Sequence, residues 1–234
     1  LASRSGLVVR GGQGLEAQLL SIRPSAAVVA CDSTDTREAS SLFGTTPLAG
    51  VLHAAGVGDQ GLVVELTPRR VQWMYAPKAF AGWHLHNAAV NVPLYAFCFF
   101  SSVGAGIGNV GQSNYAAGNA CLDAHALSRR AHGMAACSLQ WPLVATAGMG
   151  AAAFAGIGER QVAFAGLAGI SLEEYAACLG AQLVASVDVS GSVQVVHDSD
   201  VRGLLQDLAD PSQPRFSELV AVQTMHTPSS VCPV

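Results

Sequence analysis

The stretch LYAFCFFS (Leu94–Ser101) is an unbroken apolar run that ends in a hydroxyl, and SNYAAGNACLDAHALSRRAH (Ser113–His132) and AACSLQW (Ala135–Trp141) follow it. The outer two pieces have the length and continuous apolarity of buried strands, and the middle one has helical periodicity. The same alternation continues in both directions. Upstream it gives a strand-like stub at Leu1–Ser3, helix over Gly14–Ile22, buried strand over Ala26–Ala30 and helix over Thr36–Phe43. Strand follows at Gly50–Ala54, then a long helix from about Thr67 to Val90. Downstream come a loose Ala/Gly segment (Ala145–Gly158), helix over Leu172–Ala185, strand over Ser192–His197 and a short helix near Val201–Leu208. The alternation predicts an α/β fold, with a doubly wound parallel sheet covered by helices on both faces. Such sheets bind ligands beyond the carboxyl ends of their strands. From Pro211 the composition turns to Pro, Ser, Thr and Gln, as in a linker.

Composition narrows the function classes. Half of the 234 residues are hydrophobic and only 12% are charged, which suits a packed core and not a disordered chain. A net charge of −4 argues against a nucleic-acid surface, which would carry a basic excess. Mean hydropathy is high, at +0.37. Yet the densest apolar run, Val92–Phe100, is about half the ~20 residues of a membrane-spanning helix. No basic segment with an apolar core opens the chain, so an intracellular, cytoplasmic setting is expected. The six cysteines form no CxxC pair and sit in apolar runs, as buried reduced thiols do. His84 and His86 are two apart and point to different sides of a helix, so no metal site is expected.

Several residues do not fit a bland core. The long helix opens with Thr67-Pro68, an N-cap followed by proline at the first helical position. Its apolar stripe, Val71, Met74, Gly82 and Leu85, passes through Lys78. A lysine there either has a buried role or snorkels to water. Pro77 just before it predicts a kink. On the next helix Tyr115, Asn119, Leu122 and Ala126 share the face turned to the sheet. The intervening strand ends in Ser101-Ser102, at a carboxyl end. Strand-end serines commonly cap, and a buried Tyr and Asn commonly satisfy each other. Together, however, these residues bring an ammonium, a phenol, an amide and a hydroxyl toward one crevice.

The strings SRSG (Ser3–Gly6), ACDSTD (Ala30–Asp35), HAAG (His53–Gly56) and APK (Ala76–Lys78) occur in order. FSSVGAGIGNVGQSNYAAGNACLDA (Phe100–Ala124), SLQWPL (Ser138–Leu143) and RFSEL (Arg215–Leu219) follow. This ordered set resembles the ketoreductase domain of modular polyketide synthases, within the short-chain dehydrogenase/reductase superfamily. The resemblance runs from about Leu1 to Val220. It implies a Rossmann-like sheet, with residues 1–210 as a partial catalytic domain and 211–234 as a linker toward a following domain. Free-standing short-chain reductases carry Tyr-x-x-x-Lys. Here Tyr115-x-x-x-Asn119 with an upstream Lys78 is similar to the arrangement in multidomain synthases.

The resemblance implies a catalytic set of Lys78, Ser102, Tyr115 and Asn119. Tyr115 would give the proton to the developing alkoxide, and the Lys78 ammonium would favour its phenolate. Ser102 would bind the carbonyl oxygen. Asn119 would hold Lys78 or a water chain that resupplies the proton. The implied cofactor is NADPH. Ser3 and Arg4 would read the 2′-phosphate, which a guanidinium suits, and Asp32 would lie beside the adenine. Ala54, Ala55 and Gly56 would let the backbone approach the cofactor, Pro142 and Leu143 would contact the nicotinamide, and Lys78 and Tyr115 would also touch it. The family's first strand and glycine-rich diphosphate loop, expected before SRSG, are absent from the sequence, so the domain reads as N-terminally truncated. Arg10-Gly11-Gly12-Gln13-Gly14 lacks the GxGxxG spacing and reads as a turn.

The implied reaction is NADPH-dependent reduction of a β-ketoacyl thioester to a β-hydroxyacyl thioester. The substrate would arrive on the phosphopantetheine arm of an acyl carrier domain, beside the other domains of the parent synthase. A fatty-acid synthase ketoreductase shares the same pattern, and a catalytically inactive, structural ketoreductase-like module is the alternative of another class. One stereochemical class of the family carries Leu-Asp-Asp after the HAAG strand, where this chain has Gly58-Asp59-Gln60. The opposite class carries Trp at the position of Ile107, and the epimerising subtype carries Pro at the position of Ala117. Asp59 is therefore expected to orient the substrate toward a D-configured hydroxyl; the alternative is a solvated loop acid.

Overall fold

The computed structural model describes residues 1–8, 15–22, 26–45, 47–108, 111–144, 169–185, 193–195, 210 and 212–217. In chain order these form strand β1 (Ala2–Ser3), helix α1 (Leu15–Ser21), β2 (Val29–Ala30), α2 (Thr36–Thr45) and β3 (Gly50–His53). Next come α3 (Pro68–Tyr75), a π-helical turn (Ala76–Phe80), α4 (Ala81–Ala88), β4 (Ala96–Ser102) and α5 (Val103–Ile107). The last are α6 (Ser113–Ala131), β5 (Cys137–Trp141), α7 (Leu172–Ala185) and β6 (Val193–Val195). The expected turn at 10–14, the loose segment 145–158 and the helix at 201–208 lie outside the described residues, as does most of the strand 192–197 beyond β6 and of the linker 211–234.

Every ladder among the described residues is parallel. The order β3-β4-β5-β6 makes one four-stranded sheet, and β1-β2 makes a separate pair. Because side chains alternate along a strand, β4 serves two cores. Phe97 and Phe99 pack with Leu85 and Ala89 of α4, Leu122 and Ala126 of α6, and Ala39 of α2. Cys98 packs on the other face with Leu139, Trp141 and Ile170, where Tyr175, Cys178 and Leu179 of α7 close over it. This is the doubly wound architecture that the alternation predicts, and Ala39 in the first core attaches α2, the helix that follows β2, to the larger sheet.

Two strands are less covered than their apolar runs suggest. Val29 of β2 is 44% exposed and Leu52 of β3 is 47% exposed. Within the described residues each lies at a sheet edge with a single partner strand, so half of its surroundings is open. The segment expected to be a linker starts with a turn, Pro214–Phe216, in which Phe216 is buried.

The stretch read as one long helix is three pieces. The Thr67 hydroxyl caps α3, accepting from the Arg70 N–H, and Pro68 occupies the first turn. Pro77 has no N–H for the helix ladder, and its ring crowds the preceding turn. The backbone widens there into the π turn, whose Ala81 N–H donates to Ala76 O. π turns of this kind are frequent at functional sites. Lys78 lies inside this one, 3% exposed.

Candidate active site

Since β3, β4 and β5 are parallel, they deliver His53, Ser102 and Trp141 to the same end of the sheet. The π turn and α6 flank that end. Lys78 extends from the turn beneath α6, where a Cβ on Gly118 would lie only 3.7 Å from its Cδ. Its Nζ donates to Phe100 O at 3.3 Å and stands 5.4 Å from the centroid of the Tyr115 ring. Burial pushes the Lys78 ammonium down to about 8, against the pull of the Asp123 carboxylate. The inward reading of Lys78 therefore holds over the snorkelling one. His53 is pushed down to about 4, first by burial and then by Lys78, so it is a neutral ring behind the site.

Asn119 is fully buried and donates from Nδ2 to the main-chain oxygen of Tyr115, not to its phenol. Its Oδ1 is buried without a hydrogen-bond partner. Such an acceptor suits an ammonium or a water brought into the site. The two serines divide their tasks. Ser101 is buried and donates to Asn119 O at 3.3 Å. Ser102 is only partly buried and caps α5, its Oγ accepting from the Gly104 N–H at 3.2 Å. That bond uses an oxygen lone pair and leaves the Ser102 proton available to donate.

The residues expected to meet a cofactor follow the strand ends. Ser3 closes β1 and donates its hydroxyl to Leu7 O, while Arg4 just beyond it is exposed. Asp32 follows β2 and is folded on itself, Oδ1 accepting from the N–H and hydroxyl of Thr34. Ala54 and Ala55 are exposed after β3, with Gly56 partly so. Pro142 is buried and Leu143 half-buried after β5. An exposed guanidinium, backbone screened by small side chains and a buried ammonium are groups whose chemistry fits a dinucleotide cofactor.

Asp59 is partly buried and its carboxylate is held within the protein. It pairs with Arg70 (Nη2 to Oδ1 at 2.6 Å, Nε to Oδ2 at 3.1 Å) and accepts from Asn114 Nδ2 at 2.8 Å. The Arg70 hydrogen bonds, then that of Asn114, hold its carboxyl below the ordinary carboxylate range. Arg70 and Asn114 were not singled out by sequence. The separations, 11 residues for Arg70 and 55 for Asn114, follow no helical or strand period.

The sequence profile of the KR domain matches residues 1–146. The chain belongs to the KR domain family. The KR domain is 34% identical over 232 residues to the mycoketide-CoA synthase of Mycobacterium tuberculosis, covering 94% of this chain and 6% of that protein. It is 40% identical over 190 residues to the spectinabilin polyketide synthase system protein NorB of Streptomyces orinoci, covering 79% and 9%. Among solved structures, an A-type ketoreductase from a modular polyketide synthase superposes with a TM-score of 0.78 at 30% identity, over 94% of this chain and 47% of that one. The first ketoreductase of the tylosin synthase gives 0.70 at 29%, over 88% and 46%. This KR domain thus spans about half the length of those ketoreductase chains and a small part of the synthases. Its parallel α/β fold is the Rossmann-like fold of polyketide synthase ketoreductases. No helix among the described residues is long and apolar enough to cross a membrane.

Proposed function

We propose that this KR domain, in its complete form, carries out NADPH-dependent reduction of a β-ketoacyl thioester to the β-hydroxyacyl thioester. The substrate is held on the phosphopantetheine arm of an acyl carrier domain. Residues 1–210 would form the catalytic part and residues 211–234 the connection toward a following domain. The observation that carries the reading is the buried Lys78 ammonium, 5.4 Å from the Tyr115 ring and donating to Phe100 O, two residues before Ser102 on β4.

NADPH, when bound, supplies the hydride. Arg4 would pair with its 2′-phosphate, Ser3 and Asp32 would border the adenosine side, and Ala54, Ala55 and Gly56 would allow close backbone approach. Pro142 and Leu143 would wall the nicotinamide. Ser102 donates to the substrate carbonyl oxygen and fixes its orientation. Tyr115 passes its phenolic proton to that oxygen as negative charge develops there. Lys78 stabilises the phenolate left behind, and Asn119 Oδ1 accepts from the group that returns the proton. The proton lost by Tyr115 is regained from solvent, so one carbonyl gains a hydride and a proton in each turnover.

The test is Tyr115→Phe in the complete domain. The ring is preserved and only the hydroxyl is lost, so turnover is expected to fall at least about 100-fold with NADPH binding nearly intact. Turnover near that of the parent would overturn the assignment.

A further inference from the structure

The first turn of α6 carries Tyr115, yet its N-cap residue, Gln112, makes no side-chain capping bond. Helix first turns have unpaired N–H groups and fray when they are not capped. A proton donor placed there needs another anchor. Asn114 supplies one, buried to 5% exposure between Tyr115 and the loop after β3. Its Oδ1 accepts from the Tyr115 N–H at 2.9 Å and its Nδ2 donates to Asp59.

Behind Asp59 stands Arg70, with its guanidinium fully engaged. Besides the forked pair with the carboxylate, Nη2 donates to Gln60 O at 2.6 Å and Nη1 to Glu65 O at 3.4 Å. Arg–carboxylate forks fix direction as well as distance. Gly61 makes room for it, since a Cβ there would fall 2.8 Å from Nη2. The Gly61 N–H in turn donates to Gly111 O at 2.8 Å, joining this loop to the one that leads into α6. Gly111 takes that shape at φ 71°.

We propose that Asp59 is a positioning residue for Tyr115: with Arg70 and Asn114 it forms a strut that fixes the first turn of α6 against the loop Gly56–Gly61. The strut rests on the reductase reading for its consequence in turnover, but not for its existence. It reassigns Asp59 from contact with the substrate arm to holding the proton donor in place. Its polarity is specific. Asp59 accepts at both oxygens, from Arg70 and the Gln60 N–H at one and from Arg70 and Asn114 at the other, so a carboxamide at position 59 must turn a donor toward a donor.

The experiment compares the complete domain with D59N, N114D and the double variant D59N/N114D, which gives the misplaced amide an acceptor. Measurements are kcat and KM with a small soluble β-ketoacyl thioester, NADPH affinity, and amide exchange at Gly61 and Tyr115 without substrate. D59N is expected to lower kcat roughly 10- to 100-fold, as a small misplacement of a reacting group does. NADPH affinity should be retained and exchange at both amides faster. D59N/N114D is expected to recover only part of the kcat and the protection, because the amide gains an acceptor at position 114 but still turns its NH2 toward an Arg70 N–H. A D59N domain with the parent's kcat and amide protection would overturn the proposal, as would a kcat loss that the double variant leaves unrelieved. If the parent domain reduces nothing, the reductase reading fails, and the amide protection of D59N and the double variant still decides the strut.

Discussion

Lys78 places its ammonium 5.4 Å from the Tyr115 ring centroid while its own charge is disfavoured by burial. The two facts have one cause, since the π turn drives the lysine under α6, where it can serve the phenol only by leaving water. An ammonium over an aromatic face at this range gains some attraction, but less than the desolvation removes.

That imbalance is measurable as stability. Lys78 binds its proton less tightly folded, at about 8, than unfolded, at 10.5. Between those values the unfolded chain holds more protons, so stability rises as pH goes from about 8 to 10.5 and is flat below. Lys78→Met should remove the penalty while filling the same space. It is expected to stabilise the domain at pH 7 by about 1–3 kcal/mol, after allowing for the lost hydrogen bond to Phe100 O, and to flatten the alkaline rise. Reductase activity should be lost. Chemical denaturation at pH 7 and pH 10 checks this, and a destabilised variant with an unchanged pH profile would contradict it.

Gly118 faces Lys78 from the middle of α6. A Cβ there would sit at 3.7 Å from Lys78 Cδ and 3.9 Å from Met74 O, ordinary contact distances with no overlap. Glycine in a helix interior is less favourable than alanine by roughly 0.5–1 kcal/mol. Gly118→Ala is therefore expected to stabilise the fold by up to about that amount. Gly82→Ala should do the opposite, because its Cβ would press to 3.2 Å on Leu122 Cδ2 where α4 and α6 pack closely. Melting temperatures of the two variants, moving in opposite directions, are the measurement.

How far the sequence discloses this molecule depends on the range of the interactions. Strands β4 and β5 and helix α6 are written in local periodicity, and the structure keeps them with shifts of a residue or two. Lys78 stands out because a charge on an apolar stripe is a local anomaly. Pro77 signals a break, though whether the helix kinks or widens depends on what packs against it. Helix α5 escapes because VGAGI has poor helix propensity and stands only with the Ser102 cap before it. Arg129 escapes as well. Nothing in its local sequence marks it, yet it is 2% exposed, lying 4.3 Å over the Phe97 ring and donating to His86 Nδ1. The strut around Asp59 is set by tertiary pairing alone, which no local pattern carries.

Cofactor preference provides the next test. Arg4 is exposed beyond β1, so its guanidinium can meet a phosphate without breaking an internal bond. Arg4→Ala in the complete domain should weaken NADPH by about 1.5–3 kcal/mol, roughly tenfold to a hundredfold, and NADH hardly at all. Titration with both cofactors checks this, and equal losses would place Arg4 away from the 2′-phosphate.

The stereochemical expectation takes a sharper form from the position of Asp59. Because Arg70 and Asn114 hold its carboxylate, the segment Gly58–Gln60 is a fixed wall beside Tyr115. The position where a Trp would mark the opposite class is Ile107, in the last turn of α5. A phosphopantetheine arm lying along the fixed wall presents one face of the β-carbonyl to the nicotinamide, and the product should be predominantly the D-configured β-hydroxyacyl thioester. If the wall acts by shape, Asp59→Asn should lower this excess as it loosens the loop, and D59N/N114D should bring part of it back. Chiral chromatography of the products from the complete domain and both variants is the measurement. A predominantly L product from the parent domain would refute the assignment, and an excess unchanged in Asp59→Asn would show that the wall does not set it.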